Sequence, residues 1–262
     1  MVAHPTAEGH EWPIAVIPVI DLLSGQVVHA RAGQRDLYAP IHTPLVQGSD
    51  PEQVLAALLN RSKAKTAYIA DLDGIMHGHS QWPLIHQLAA CFSDITIWLD
   101  AGFTHFERAQ SVIQIQDQKE SISSKSELDL QGSDLKKSKR FPTLLPVLGT
   151  ESLLQLENLS RQAQHCVLSL DFGPEGFRGD PEWLSHPEYW PDRVIVMSLA
   201  KVGVGAGPDF EHIQSALHEA SRLARPPQIF AAGGITQQHA VQLARLGVSG
   251  ALVASALHAR SS

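Results

Sequence analysis

Two carboxylates stand where apolar runs end. Asp21 closes VIPVID (residues 16–21), Asp171 closes CVLSLD (166–171), and a glycine follows each within four residues. An apolar strand that delivers an acid at its C-terminal edge is where parallel α/β folds place their chemistry. A turn aspartate capping the Gly25 loop is the competing reading of Asp21. A third acid, Asp100, ends ITIWLD (95–100). Asp71 and Asp73, in TAYIADLD (66–73), are read as structural acids that pair with N–H groups of nearby loops.

A second set of residues points to anions. Gly233 and Gly234 follow the apolar QIFAA (228–232), and Ala254 and Ser255 close ALVA (251–254). Glycine at a strand end lets backbone N–H groups approach an anion, and a following helix N-terminus adds a favourable dipole. The first half of the chain repeats the pattern. LDAGFTHFERAQ (99–110) aligns with AAGGITQQHAVQ (231–242), and Gly149-Thr150 aligns with Ala254-Ser255. Gly102 lies 47 residues before Gly149 and Gly234 lies 20 before Ala254; the surplus equals the 27 residues of the polar segment 114–140. Removing that segment restores the register, so the chain reads as two duplicated halves. Gly102, Gly149 and Thr150 would then form a second phosphate clamp opposite Gly233, Gly234, Ala254 and Ser255. The expected ligand is a small elongated molecule with a phosphate at each end. Tight turns are the alternative for any single glycine.

Elements that could position these residues recur along the chain. Apolar strands are expected at 16–21, 66–73, 95–100, 144–148, 166–171, 193–198, 228–232 and 251–254. Between them lie helix-length segments: 51–60 behind the cap Asp50, 83–91, one opened by Thr104 with Glu107, 152–163, 209–223 and 238–246. Eight continuously apolar strands alternating with helices predict an α/β fold, a single (β/α)8 barrel over residues 14–262. Residues 1–13 are expected to be a flexible N-terminal segment. The segment 114–140, QIQDQKESISSKSELDLQGSDLKKSKR, is too polar to pack and reads as a disordered surface insertion.

Composition narrows the partners. A formal charge of −7 with no basic stripe argues against nucleic acid. No apolar run approaches the ~18 residues of a membrane span, and two cysteines cannot form a disulfide framework, which together suggest a cytoplasmic protein. His77 and His79 with Asp73 lack the spacing of a strong zinc motif, so no metal is assigned, and no cofactor is expected. Arg31 and Arg35 lie in the long loop 29–50, where they could fold over a substrate. Lys201, in KVGVGAGPDF, could take phosphate charge or hold a lid; an ordinary surface lysine is the alternative.

Taken together, VIPVIDLLSGQVVHA, YIADLDG, the duplicated glycine loops and SLDFGPEGF resemble the histidine-biosynthesis barrels. These are the isomerase acting on ProFAR (phosphoribosylformimino-aminoimidazole carboxamide ribotide) and its cyclase sister. The resemblance implies a bisphosphorylated ribosyl substrate, an aldose-to-ketose (Amadori) isomerisation, and an acid–base pair at Asp21 and Asp171, with Asp21 as base. Several residues depart from that pattern. The sixth strand runs into SLAKVGVGAGPDF where the family has an acid, Asp100-Ala101-Gly102-Phe103-Thr104 replaces GGGIR, and ASAL replaces VGKAL or VGRAL. HARAGQRDLYAPI, LDAGF and VASALH look more like a divergent branch of methanogens and methylotrophs associated with one-carbon carrier synthesis. A sister enzyme acting on another phosphorylated intermediate is therefore the first alternative. A silent phosphate-binding barrel is the second, disfavoured by retention of both aspartates.

Overall fold

The structure is a computed structural model that describes residues 12–30, 37–109, 143–154, 159–162, 164–202 and 207–259. The segment 114–140, most of residues 1–13, Arg31, Arg35 and residues 203–206 lie outside the described residues.

Ten strands follow one another among the described residues. They are β1 (Ala15–Leu23), β2 (Gln26–Val28), β3 (Thr66–Asp71), β4 (Thr96–Asp100), β5 (Thr143–Gly149), β6 (Val167–Gly173), β7 (Gly176–Arg178), β8 (Arg193–Ser198), β9 (Gln228–Ala232) and β10 (Gly250–Val253). Eight of them pair in parallel in the order β1-β3-β4-β5-β6-β8-β9-β10, and β10 pairs with β1 to close the ring. This is the expected (β/α)8 barrel. Helices Pro51–Ser62, Leu72–His77, Trp82–Cys91, Phe210–Ser221 and Gln237–Leu246 lie between strands. Asp50 accepts from the Gln53 N–H at 2.9 Å and caps its helix as expected, and Asp209 accepts from the His212 N–H at 3.3 Å, capping a helix that begins one residue later, at Phe210.

Strand periodicity sorts the side chains into two cores. One face of each strand packs outward against the helices, with Ile20, Leu22, Ile69, Leu99, Leu148 and Leu170 buried there. The other fills the barrel, where Ile17, Tyr68, Trp98, Val147, Val167, Ile195, Phe230 and Leu252 meet. Trp98 and Phe230 contact edge to face at 4.8 Å across that interior. The barrel is a packed plug, and a cavity lies above it.

Three local readings change. The strand expected to reach residue 73 stops at Asp71, whose carboxylate accepts from the Gly74 N–H at 3.3 Å and starts helix Leu72–His77. The helix expected over 152–163 is absent from its described part. Residues 151–154 form a turn closed by the Ser152 and Leu153 N–H groups donating to the Gly149 carbonyl, and Leu159–Gln162 is a 3-10 turn. Strands β2 and β7 were not expected, because three residues are too few to show an alternating pattern. Each folds back antiparallel on the strand before it, pairing Asp21 with Val28 and Asp171 with Arg178. The two hairpins share one register, seven residues from acid to partner in each half, as a duplication requires.

Candidate functional site

Alternation along the strands sets where the acids point. Ile17 and Val19 belong to the barrel-filling face of β1, so Asp21, two residues on, faces the same way. By the same count Asp171 continues the series Val167–Ser169, and Asp100 follows Trp98. At the C-terminal ends of the strands the apolar plug therefore gives way to carboxylates. They line a cavity of about 550 Å³ with Tyr68, Gly149, Glu151, Arg178, Met197, Gly233, Gly234, Thr236, Ala254 and Ser255. β1 and β6 are four strands apart in a ring of eight, so Asp21 and Asp171 stand on opposite walls.

The three acids differ in what holds them. Asp171 is 6% exposed. It accepts from the Ser169 hydroxyl at 2.6 Å and the Glu151 N–H at 3.0 Å. Burial nevertheless dominates, and its carboxyl is pushed up to about 7. Asp21 is surrounded by protein but keeps some surface toward the cavity, and burial raises it to about 7 as well. Asp100 accepts from the Tyr68 hydroxyl at 2.9 Å and the Gly102 N–H at 3.1 Å. Burial raises its carboxyl too, with those two bonds working in the other direction. The Tyr68 phenol is held well above its ordinary value by burial and then by Asp100.

Asp71 and Asp73 accept from N–H groups of nearby loops, the pairing expected from their positions in sequence. Asp71 is fully buried and takes the Gln81 N–H at 2.8 Å and the Gln81 side-chain amide at 3.1 Å. Gln81 in turn accepts from the Gly25 N–H at 2.7 Å, and Asp73 accepts from the Ser24 N–H at 2.7 Å. The two acids thus brace the β1–β2 turn just beyond Asp21.

The glycine sets are placed differently in the two halves. Gly233, Gly234, Ala254 and Ser255 line the cavity together. Gly233 has φ +106°, and a side chain there would meet the Ser198 carbonyl at 2.4 Å, so only glycine fits. In the first half Gly149 lines the cavity, whereas Gly102 and Thr150 stand behind its wall. The Gly102 N–H goes to Asp100, the Thr150 N–H to the Ser169 carbonyl at 2.9 Å, and the Thr150 hydroxyl accepts from the Asp171 N–H at 2.9 Å. Lys201 also lies off the cavity; its ammonium donates to the Pro208 carbonyl at 3.2 Å and faces Asp209 at 3.7 Å.

Gly149 has a separate task. A Cβ there would sit 2.9 Å from Asp171 Oδ2, so its bare Cα makes room for that carboxylate. We expect Gly149→Ala to lower turnover by roughly 10–100-fold by displacing Asp171, since small misplacements of reacting groups are costly. Parallel measurement of kcat and melting temperature checks this: a large melting loss with normal kcat would point to a packing role instead.

Sequence reasoning did not single out Tyr68, Glu151 or Arg178. For Tyr68 the signal was present, since Tyr68 and Ala70 share a face in TAYIAD. Among the described residues no group of three or more His, Cys, Asp or Glu is arranged to hold a metal ion, and His77 and His79 are exposed. None of the described helices is long and apolar enough to cross a membrane.

The chain is 27% identical over 247 residues to an uncharacterised protein of Methanocaldococcus jannaschii, covering 93% of this chain and 92% of that one. A solved thiamine phosphate pyrophosphorylase from Pyrococcus furiosus aligns with a TM-score of 0.45 and 13% identity over 95% of this chain and 89% of its own. The family model described as "Histidine biosynthesis protein" matches residues 15–133 and 185–262. With most of its length covered by that model and its strands closed into the parallel barrel described above, the chain belongs to the histidine biosynthesis protein family.

Proposed function

We propose that the protein is an intramolecular oxidoreductase that isomerises an aldose to a ketose on a small phosphorylated ribosyl substrate of the ProFAR type, without a cofactor. The observation that carries this reading is the pair Asp21 and Asp171, on opposite walls of one cavity and both shifted to about 7. An Amadori rearrangement needs one group to protonate the ring oxygen as the C1–O bond opens and another to take the proton from C2. Catalytic groups work best with pKa values near the operating pH. Asp171, supported by Ser169 and the Glu151 N–H, acts as the acid, and Asp21, with no bond partner among the described residues, acts as the base. Gly233, Gly234, Ala254 and Ser255 supply a glycine-rich wall on which one phosphate rests.

A second reading keeps the barrel and the chemistry but changes the substrate to another phosphorylated intermediate, such as a precursor of a one-carbon carrier. It is favoured by the Asp100–Tyr68 pair in the cavity and by the 3-10 turn Leu199–Lys201, which puts no acid after β8. Expression in an isomerase-deficient histidine auxotroph, with a direct assay of ProFAR conversion by the purified protein, separates the two. Growth together with turnover supports the first reading. A folded protein that does neither leaves the second.

A further inference from the structure

Arg178 is the one lysine or arginine among the described residues lining the cavity. It arrives there by the β6–β7 hairpin, directly across from Asp171. Gly173 lets it lie flat: a Cβ at that position would come within 2.5 Å of Arg178 Nε. Its Nη1 sits 3.1 Å from Glu151 Oε1, and the two side chains remain 48% and 27% exposed, so water and ligands reach the pair. An ion pair this open contributes little to stability. The guanidinium is thus placed against the backbone, aimed into the site and only loosely held.

The backbone around it is committed elsewhere. The Thr150 N–H donates to Ser169, the Glu151 N–H to Asp171, and the Ser152 and Leu153 N–H groups to the Gly149 carbonyl. The Gly102 N–H is held by Asp100. On this side of the mouth Arg178 therefore offers the one cationic donor among the described lining residues. The matching position in the first hairpin is Val28, so one half of the duplicated frame carries a cation and the other does not.

We propose that Arg178 is the specificity residue that receives the second phosphate of the substrate, exchanging Glu151 for the ligand when it binds. This rests on the reading of the cavity as a phosphate-ester site and deepens it. The two ends of the substrate would then be read by different chemistry: main chain and small residues beside β9 and β10, and a guanidinium fork beside β6. A planar fork binds a phosphate through two parallel hydrogen bonds, which a lysine ammonium cannot reproduce.

The test is calorimetric binding of ribulose 1,5-bisphosphate and ribulose 5-phosphate to the whole protein at fixed ionic strength. Wild type should prefer the bisphosphate by roughly 10–100-fold, in the range of one charge-assisted bidentate contact. Arg178→Met should erase that preference and leave monophosphate affinity unchanged; Arg178→Lys should restore part of it. Glu151→Gln keeps the backbone N–H that serves Asp171 but removes the competing carboxylate, and should tighten bisphosphate binding several-fold. Unchanged preference in Arg178→Met would sink the assignment, and so would weaker bisphosphate binding in Glu151→Gln. If wild type binds neither sugar phosphate, the phosphate reading of the cavity fails and Arg178's assignment goes with it. If it binds both equally, only the role of Arg178 is overturned.

Discussion

Asp21→Asn and Asp171→Asn are each expected to lower turnover by roughly 10²–10⁴, the usual contribution of a positioned acid or base. Both replacements are nearly isosteric, so sugar-phosphate affinity should survive them. The double variant should be little worse than either single one, because partners in one proton-transfer cycle are not additive. With both carboxyls at about 7, the form productive in the proposed mechanism, Asp21 ionised and Asp171 protonated, is most populated near pH 7. The wild-type profile should be a narrow bell centred there, and each variant should lose one limb. Full activity of Asp21→Asn on the true substrate would make the β1 carboxylate structural.

The same variants should be more stable than the wild type at alkaline pH. An unfolded aspartate titrates near 4. Between pH 4 and 7 the folded chain therefore holds protons that the unfolded chain has released, and stability falls as pH rises through that window. Above it the loss is complete. Asparagine does not titrate, so Asp21→Asn should gain about 1–3 kcal/mol at pH 8 and nothing at pH 4. The lower part of that range is the better guide, because Asp21 keeps surface toward the cavity. Urea melts at the two pH values read the difference directly.

Asp71→Ala should do the opposite: a loss of about 3–5 kcal/mol with little change in kcat among molecules still folded. The carboxylate is fully buried and faces the outer core, away from the cavity. Removing it strands the Gly74 N–H, the Gln81 N–H and the Gln81 side-chain amide, and loosens the brace under the Ser24-Gly25 turn. Asp71→Asn keeps one acceptor oxygen and should cost less. A rate loss as large as that of Asp21→Asn, in protein shown to be folded, would mean that Asp71 belongs to the chemistry.

The barrel and its acids were legible because each rests on a short-range pattern. Continuous apolar runs mark strands buried on both faces, and the period of two then decides which way a terminal aspartate points. What escaped was set by distant partners. Arg178 lies in a strand of three residues whose place is fixed only by pairing with β6. The Thr150 and Gly102 signals were real as glycine-loop patterns. Where their N–H groups go depends on Ser169 and Asp100, and no local spacing reveals that. Where the helix expected over 152–163 should begin, the described residues form a turn closed on the Gly149 carbonyl, which also holds the Glu151 N–H toward Asp171.

The closure of β10 onto β1 carries a kinetic consequence. Ala15 pairs with Gly250 at nearly the full length of the chain, so this seam closes the largest loop in the molecule. Contacts so distant in sequence make for slow folding, and this seam is the one most dependent on the rest of the barrel already standing. Until it forms, β1 has only one parallel neighbour, and Asp21 has no fixed position opposite Asp171. In refolding, recovery of secondary structure should therefore run ahead of recovery of activity, with Asp21 brought opposite Asp171 in the last and slowest phase.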